Sequence, residues 1–244
     1  MEAHAAMGIE VITSFNEEYW NTIGRDCVTS WIQYWPHDMT LTCYVEGFTM
    51  PAMPRCQVVH WSALGEQYLA FQASDQGARV KTFAKKAYCV MHAWRNSTAD
   101  RLIWLDADVI THSKISKKFL DQLCDDDTVI TYMGVNHLHQ GQRYHSAESG
   151  VFVVNLRHAL FDTVAARYEQ RYCNHEHHDL RRFYDGEVLG AICREFQHTG
   201  AMRDLCAGLG KDYKTPIRHT VLGQYLHHHK SKHSKENWVD QMRQ

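Results

Sequence analysis

The 244-residue chain is most informative at first for what it lacks. It has four prolines, and no stretch rich enough in Gly, Ser or Pro to act as a linker, which argues against a division into domains. No segment repeats, so a solenoid or propeller is excluded. Its eight cysteines include no CxxC and follow no regular spacing, which fits reduced thiols rather than a disulfide framework or a zinc site. No apolar run approaches the eighteen or so residues of a membrane span, and no basic segment leads into an apolar one as in a secretory signal. Net charge is scarce too: at -2 overall, no field directed at nucleic acid or membrane is expected. These absences point to a cytoplasmic protein with no nucleic-acid partner and no transmembrane segment.

What is present is an ordinary globular composition, 44% hydrophobic and 22% charged. The charge is uneven near the end. Between Lys211 and Lys235 lie six Lys or Arg, five His and one Asp, Asp212. Such a segment either receives a polyanion or is a solvated basic tail.

The stretch on which the reading turns is Arg101 to Thr111, RLIWLDADVIT. Leu102 to Leu105 reads as a strand buried on both faces, as in a parallel sheet. Asp106 and Asp108 follow it. Residues two apart on an extended backbone face the same side, so both carboxylates address one point at the strand's carboxyl end, where open α/β sheets bind ligands. Like charges so placed call for a cation between them. Asp-x-Asp is expected roughly once by chance in a chain this rich in Asp, and it is the preceding strand that separates this copy from Asp125-Asp126-Asp127, which reads as a solvated loop.

Along the chain, Ile9–Thr13 reads as a strand and Ser14–Glu17 as a helix start. Trp20, Ile23, Cys27, Trp31 and Trp35 recur at helical spacing until Pro36. Strands are expected at Leu41–Val45, Gln57–Trp61, Thr128–Met133, Gly150–Leu156 and Thr220–Leu226. Helices are expected at 79–94, 113–124, 157–172 and 185–196. Gly134–Ser146 and Asn174–Arg182 read as polar loops. The order predicts an α/β protein with a mostly parallel central sheet flanked by helices.

Two carboxylates are too few to hold Mg²⁺ or Mn²⁺ alone, and an imidazole would favour Mn²⁺. The triplet His227, His228 and His229 offers the third ligand, with Lys230 and Lys232 close by to neutralise phosphate.

These segments resemble nucleotide-sugar glycosyltransferases of the GT-A fold, nearest in style to the family 8, glycogenin-like enzymes and related phage or bacterial transferases. The resemblance rests on an early strand ending TSFNEEY (Thr13–Tyr19), the FAKK of Phe83–Lys86, the LIWLDAD of Leu102–Asp108, the ESGVFVVNL of Glu148–Leu156, the YDGEVL of Tyr184–Leu189, and a closing His228-x-Lys230-Ser231. It implies a single Rossmann-like GT-A domain over residues 1–244, with residues 1–7 disordered or an expression remnant and residues 227–244 a tail over the donor site. It implies that Thr13, Ser14 and Phe15 line the base and ribose pocket, that Tyr19 stacks on the base, and that Lys86 reaches the nucleotide. Asp106 would contact ribose and metal, with Ala107 beside it. Asp108 and His228 would complete the metal site, and Lys230 would hold the β-phosphate. Glu148 and Asp185 remain as catalytic acids, a general base in an inverting enzyme or a steadying charge in a retaining one. The expected cofactor is Mn²⁺ or Mg²⁺ and the expected donor a UDP-sugar, UDP-glucose or UDP-galactose. The acceptor, carbohydrate, lipid or protein, is not read from these residues. Two rivals stand beside this reading: a haloacid-dehalogenase-like phosphatase, whose nucleophile also lies in a strand-end Asp-x-Asp, and a nucleotide-sugar-binding module without turnover.

Overall fold

A computed structural model of the chain describes residues 8–139, 142–209 and 216–229. The first strand, β1 (Ile9–Asn16), alternates its side chains between two cores. Ile12 joins Tyr44, Leu102 and Trp104 on one face, whereas Val11 joins Cys43, Ile103 and Leu105 on the other. The period of two is thus visible within strands that are apolar on both sides.

The chain leaves β1 through a short helix, α1 (Glu17–Tyr19), whose first turn is capped by the Asn16 side chain accepting from the Tyr19 N–H at 2.8 Å. A π-helical stretch, Trp20–Gly24, runs directly into α2 (Arg25–Tyr34). Trp35 is extended and Pro36 follows it, which ends the helix. Next come β2 (Leu41–Glu46), β3 (Cys56–His60), α3 (Glu66–Ala73) and the 19-residue α4 (Ala78–Asn96). β4 (Arg101–Leu105) is fully buried, and β5 (Val109–Thr111) and α5 (Lys117–Leu123) follow it. β6 (Ile130–His139) and β7 (Gln142–Asn155) form a long hairpin, before α6 (Phe161–Cys173), α7 (Asp185–Glu195), β8 (Met202–Asp204) and β9 (Leu226–His228).

The central sheet has the order β3-β2-β1-β4-β7-β6-β8, and β5 pairs separately with β9. Four of its six pairings are parallel; β4–β7 and β6–β7 run antiparallel. Helices cover both faces. α4, α6 and α7 contribute Val90, Tyr168 and Leu189 to one core, while α2 and α5 contribute Trp31 and Leu120 to the other. All eight cysteines are free thiols, and no described helix is long and apolar enough to cross a membrane.

Two expectations need correction. Gly134–Ser146 is not a loop: its described residues continue β6 and β7, with Gly134 opposite Ala147 and Val135 opposite Ser146. Glycines of α7 let that helix approach the backbone of β7 closely. A Cβ on Gly190 of α7 would lie 2.7 Å from the Ser146 backbone, so helix and strand touch main chain to main chain. Thr220–Leu226 is not a strand either. Val221–Gln224 is a 3-10 turn, entered through the Thr220 hydroxyl accepting from the Leu222 N–H, and the strand begins only at Leu226. Asp125–Asp127 is a turn, closed by the Asp127 N–H donating to the Asp125 carboxylate. Helix α3, with Tyr68 and Phe71 buried, was not anticipated. The tail from residue 230 lies outside the described residues, as do residues 1–7.

Candidate active site

Topology brings the chemistry to one edge of the sheet. Asp106 follows the last residue of β4. Because β7 runs antiparallel to β4, with Leu105 opposite Val151, its Glu148–Gly150 segment enters at that same edge. The Asp106 N–H donates to the Gly150 carbonyl at 2.8 Å and pins the two segments together. α7 begins there as well. Its Gly186 lies so close to β7 that a Cβ would come within 2.5 Å of the Ala147 carbonyl oxygen, and this places Asp185 beside Ser149. Lys86, on α4, reaches in from the helical layer.

Lys86 Nζ lies 2.7 Å from Asp106 Oδ1 and 2.7 Å from Asp185 Oδ2. It also donates to the Ser149 carbonyl and hydroxyl, both at 3.0 Å, and the Ser149 hydroxyl donates to Asp185 at 2.6 Å. Burial alone would lower the pKa of this ammonium; the charges of Asp106 and Asp185 prevail and raise it. Asp106 is raised by burial, with Asp108 adding to it and Lys86 opposing. The Trp104 indole N–H donates 2.6 Å to the same Asp106 oxygen, so this carboxylate is held from two directions.

At the other end, β9 delivers His228 opposite Val109, and the His229 N–H donates to the Asp108 carbonyl at 2.8 Å. His228 Nε2 is 3.1 Å from Asp108 Oδ1, and its Nδ1 is 3.3 Å from Glu148 Oε1. Burial pulls this imidazole down, but its bonds to Asp108 and Glu148 and the nearby Asp106 charge carry it up to about 9. Gly150 makes room for the ring: a Cβ there would sit 2.7 Å from His228 Cε1. His227 and His229 turn the other way and pack against each other, ring centroids 4.5 Å apart.

Ligand atoms of Asp106, Asp108 and His228 all fall within 4.8 Å of one another. Two hard oxygens and an imidazole fit Mn²⁺ or Mg²⁺, and the cradle opened by Gly150 is consistent with a placed ligand rather than a surface histidine.

These groups line a cleft of about 520 Å³. Of the positions expected at the nucleotide, Ser14, Phe15, Tyr19, Lys86, Asp106 and Ala107 line it. Thr13 is fully buried within β1, and Lys230 lies outside the described residues. Tyr19 stands at the rim, 41% exposed; partial burial and then the Asp108 and Asp106 charges raise its phenol. Glu148 and Asp185, the two candidate catalytic acids, both line the cleft: Glu148 abuts His228, and Asp185 abuts Lys86. Three contributors were not singled out. Trp104 is two residues before Asp106, so the alternation that paired the aspartates could have found it. Ser149 lies inside the quoted Glu148–Leu156 segment. Lys85, paired with Glu46 at 2.7 Å and 4.8 Å over the Trp61 ring, lies inside the quoted Phe83–Lys86 segment.

No family model and no curated sequence matches the chain. Solved structures do match in fold. A galactosyltransferase, LgtC, in complex with donor and acceptor sugar analogues superposes with a TM-score of 0.53 at 12% identity, over 91% of this chain and 87% of that one. Mouse xyloside xylosyltransferase 1 gives 0.52 at 12% identity over 81% and 85%. The bifunctional glycosyltransferase WbbM gives 0.51 at 12% identity over 84% of this chain, which spans 40% of the WbbM chain. With its seven-stranded mixed sheet and helices on both faces, the protein has the GT-A glycosyltransferase fold.

Proposed function

We propose that the protein is a metal-dependent glycosyltransferase that moves a hexose from a nucleotide sugar, a UDP-hexose such as UDP-glucose or UDP-galactose, to a hydroxyl acceptor. The observation that carries this reading is the convergence of Asp106, Asp108 and His228 within 4.8 Å, in a cleft that Lys86 also lines. The likeness in fold to LgtC, solved with donor and acceptor analogues, supports it.

In this reading Asp106, Asp108 and His228 hold the divalent cation, which when bound supplies a Lewis acid for the departing diphosphate. Glu148 steadies the second nitrogen of the His228 ring and so fixes its orientation. Lys86 bonds Asp106 and Asp185 and fixes how both carboxylates are aimed. Asp185 accepts from both Lys86 and Ser149 through one oxygen, which fixes the carboxylate in place. So placed, it is assigned to steady positive charge at the sugar's anomeric carbon. Ser14, Phe15, Tyr19 and Ala107 form the end that receives uridine, and Lys230 is assigned to the β-phosphate.

The test is a nucleotide-sugar panel with Mn²⁺, read as release of nucleoside diphosphate. Release from a UDP-hexose that stops in EDTA is expected. Donor binding without release from any sugar would instead favour a binding module, and aspartyl-phosphate trapping by beryllofluoride would favour the phosphatase.

A further inference from the structure

Beside Asp185, against the Phe83 wall of the cleft, the chain builds a feature that the donor site does not use. Phe83 of α4 lines the cleft, and Tyr184 immediately precedes Asp185. Their rings lie 4.4 Å apart with 31° between planes. Two arginines from different elements converge on this pair. The Arg79 guanidinium is 5.0 Å from the Tyr184 centroid and 5.9 Å from that of Phe83, and the Arg182 guanidinium is 5.7 Å from Tyr184. Both arginines are exposed.

Neighbouring acids do not neutralise them. Glu176 pairs with Arg167, Asp179 with Arg171, and Glu187 with Arg181. Among the described residues neither Arg79 nor Arg182 has a carboxylate within ion-pairing distance, although Arg95, Arg101 and Arg157 each have one. Stacking on a ring engages the face of a guanidinium and leaves its in-plane N–H donors outward. Two such forks on one aromatic post suit a planar or tetrahedral oxyanion. The diphosphate is assigned to the cation held by Asp106, Asp108 and His228, which leaves this pair for the acceptor.

We infer that Arg79 and Arg182, mounted on Phe83 and Tyr184, form an acceptor subsite for an anionic saccharide, one carrying a uronate carboxylate or a phosphate ester next to the hydroxyl that is glycosylated. This rests on the glycosyltransferase reading for its mechanism, but the binding it predicts is measurable without turnover.

The probes are p-nitrophenyl β-glucoside, its 6-phosphate and p-nitrophenyl β-glucuronide, titrated by ligand-observed NMR onto the full chain with UDP and Mn²⁺. At least one acidic glycoside should bind about tenfold or more tighter than the neutral one, the value of one charge-assisted contact. The two acidic arms tell carboxylate from phosphate. The advantage should shrink at about 0.5 M salt, and in the Arg79→Gln/Arg182→Gln protein it should fall to within about twofold. A Lys pair at the same positions should restore part of it. Should the double variant not fold, each single Gln variant must lose part of the preference. Equal binding of acidic and neutral glycosides, no binding of either acidic one, or a preference that survives the Gln substitutions overturns the inference. Acid preference without nucleoside diphosphate release from any donor would sink the reaction and keep the subsite; release without acid preference would do the reverse.

Discussion

At one end of the cleft Lys86 lies between Asp106 and Asp185, 2.7 Å from each; at the other, His228 lies between Asp108 and Glu148, at 3.1 and 3.3 Å. Both ends therefore hold two carboxylates around one cation, yet the supports differ. Lys86 rides on a 19-residue helix and spends its donors on Asp106, Asp185 and Ser149. It has no lone pair while charged and cannot bind a metal. His228 rides on a three-residue strand held to another of three residues. Its imidazole can give up a proton and become a ligand. One end is compensated permanently by the fold; at the other, in the proposed function, a metal takes over the compensation.

The largest test of this contrast removes the permanent cation. Lys86→Met leaves Asp106 and Asp185 facing each other in a site where their side chains are 21% and 6% exposed. Breaking a buried pair from one side costs about 3–5 kcal/mol. Urea unfolding should show that loss, and Lys86→Met/Asp185→Asn should recover part of it. A loss under about 1 kcal/mol, the range of exposed ion pairs, would put Lys86 in the same class as a surface lysine.

Next in size is Asp108→Asn. It neutralises a proposed metal ligand but leaves the Lys86 network intact, so donor turnover should fall about 10²–10³-fold, as when a strong electrostatic group is removed from a reacting centre. Calorimetry should show UDP affinity no longer responding to Mn²⁺. If Mn²⁺ still tightens UDP as in the parent, the convertible end lies elsewhere.

How much of this was legible in the chain follows from the distance over which each piece acts. Leu102–Leu105 announced itself because both its faces are buried, and Asp106 with Asp108 because two neighbours in sequence are neighbours in space. α4 was legible from its period. The continuation of β6 and β7 through Gly134–Ser146 was not, since Gly186 and Gly190 let α7 lie directly on the backbone of β7, where little apolar side chain is needed. Nor could the sequence show that Lys86 meets Asp185 and Ser149, contacts spanning 99 and 63 residues. Such pairings exist only after the sheet order β1-β4-β7 has been set.

The third test uses pH on metal-free protein. An exposed His has a pKa near 6.5, and bonds to Asp108 and Glu148 hold His228 at about 9 in the fold. A raised folded pKa contributes stability that is whole below the unfolded value and is lost as pH climbs through the folded one. In EDTA, stability should therefore decline between pH 6.5 and 9 by about 3 kcal/mol, from about 1.36 kcal/mol per unit. His228→Ala should flatten that decline. Mn²⁺ affinity should rise across the same window, because the ligand must lose its proton. A decline that persists unchanged in His228→Ala would mean that another group carries it.

The smallest effect belongs to His227→Ala, and it sharpens the comparison more than its size implies. His227 pairs in register with Ile110, His228 with Val109, so the two side chains leave opposite faces of β9. His227 packs on His229 and lies 3.1 Å from Arg218, away from the aspartates. Burial, then His229 and Arg218, push its pKa down to about 4, so it is neutral at pH 7 and adds no charge to the cleft. Its removal should change Mn²⁺-dependent UDP affinity by less than about twofold, which is under about 0.5 kcal/mol, whereas His228→Ala should abolish the Mn²⁺ response. Two strands of three residues set a register with few hydrogen bonds, and a slip of one residue would exchange the faces. Calorimetry on the two alanine variants therefore reads that register in solution: a Mn²⁺ response lost in His227→Ala and kept in His228→Ala would mean that β9 sits one residue away from where the cleft needs it.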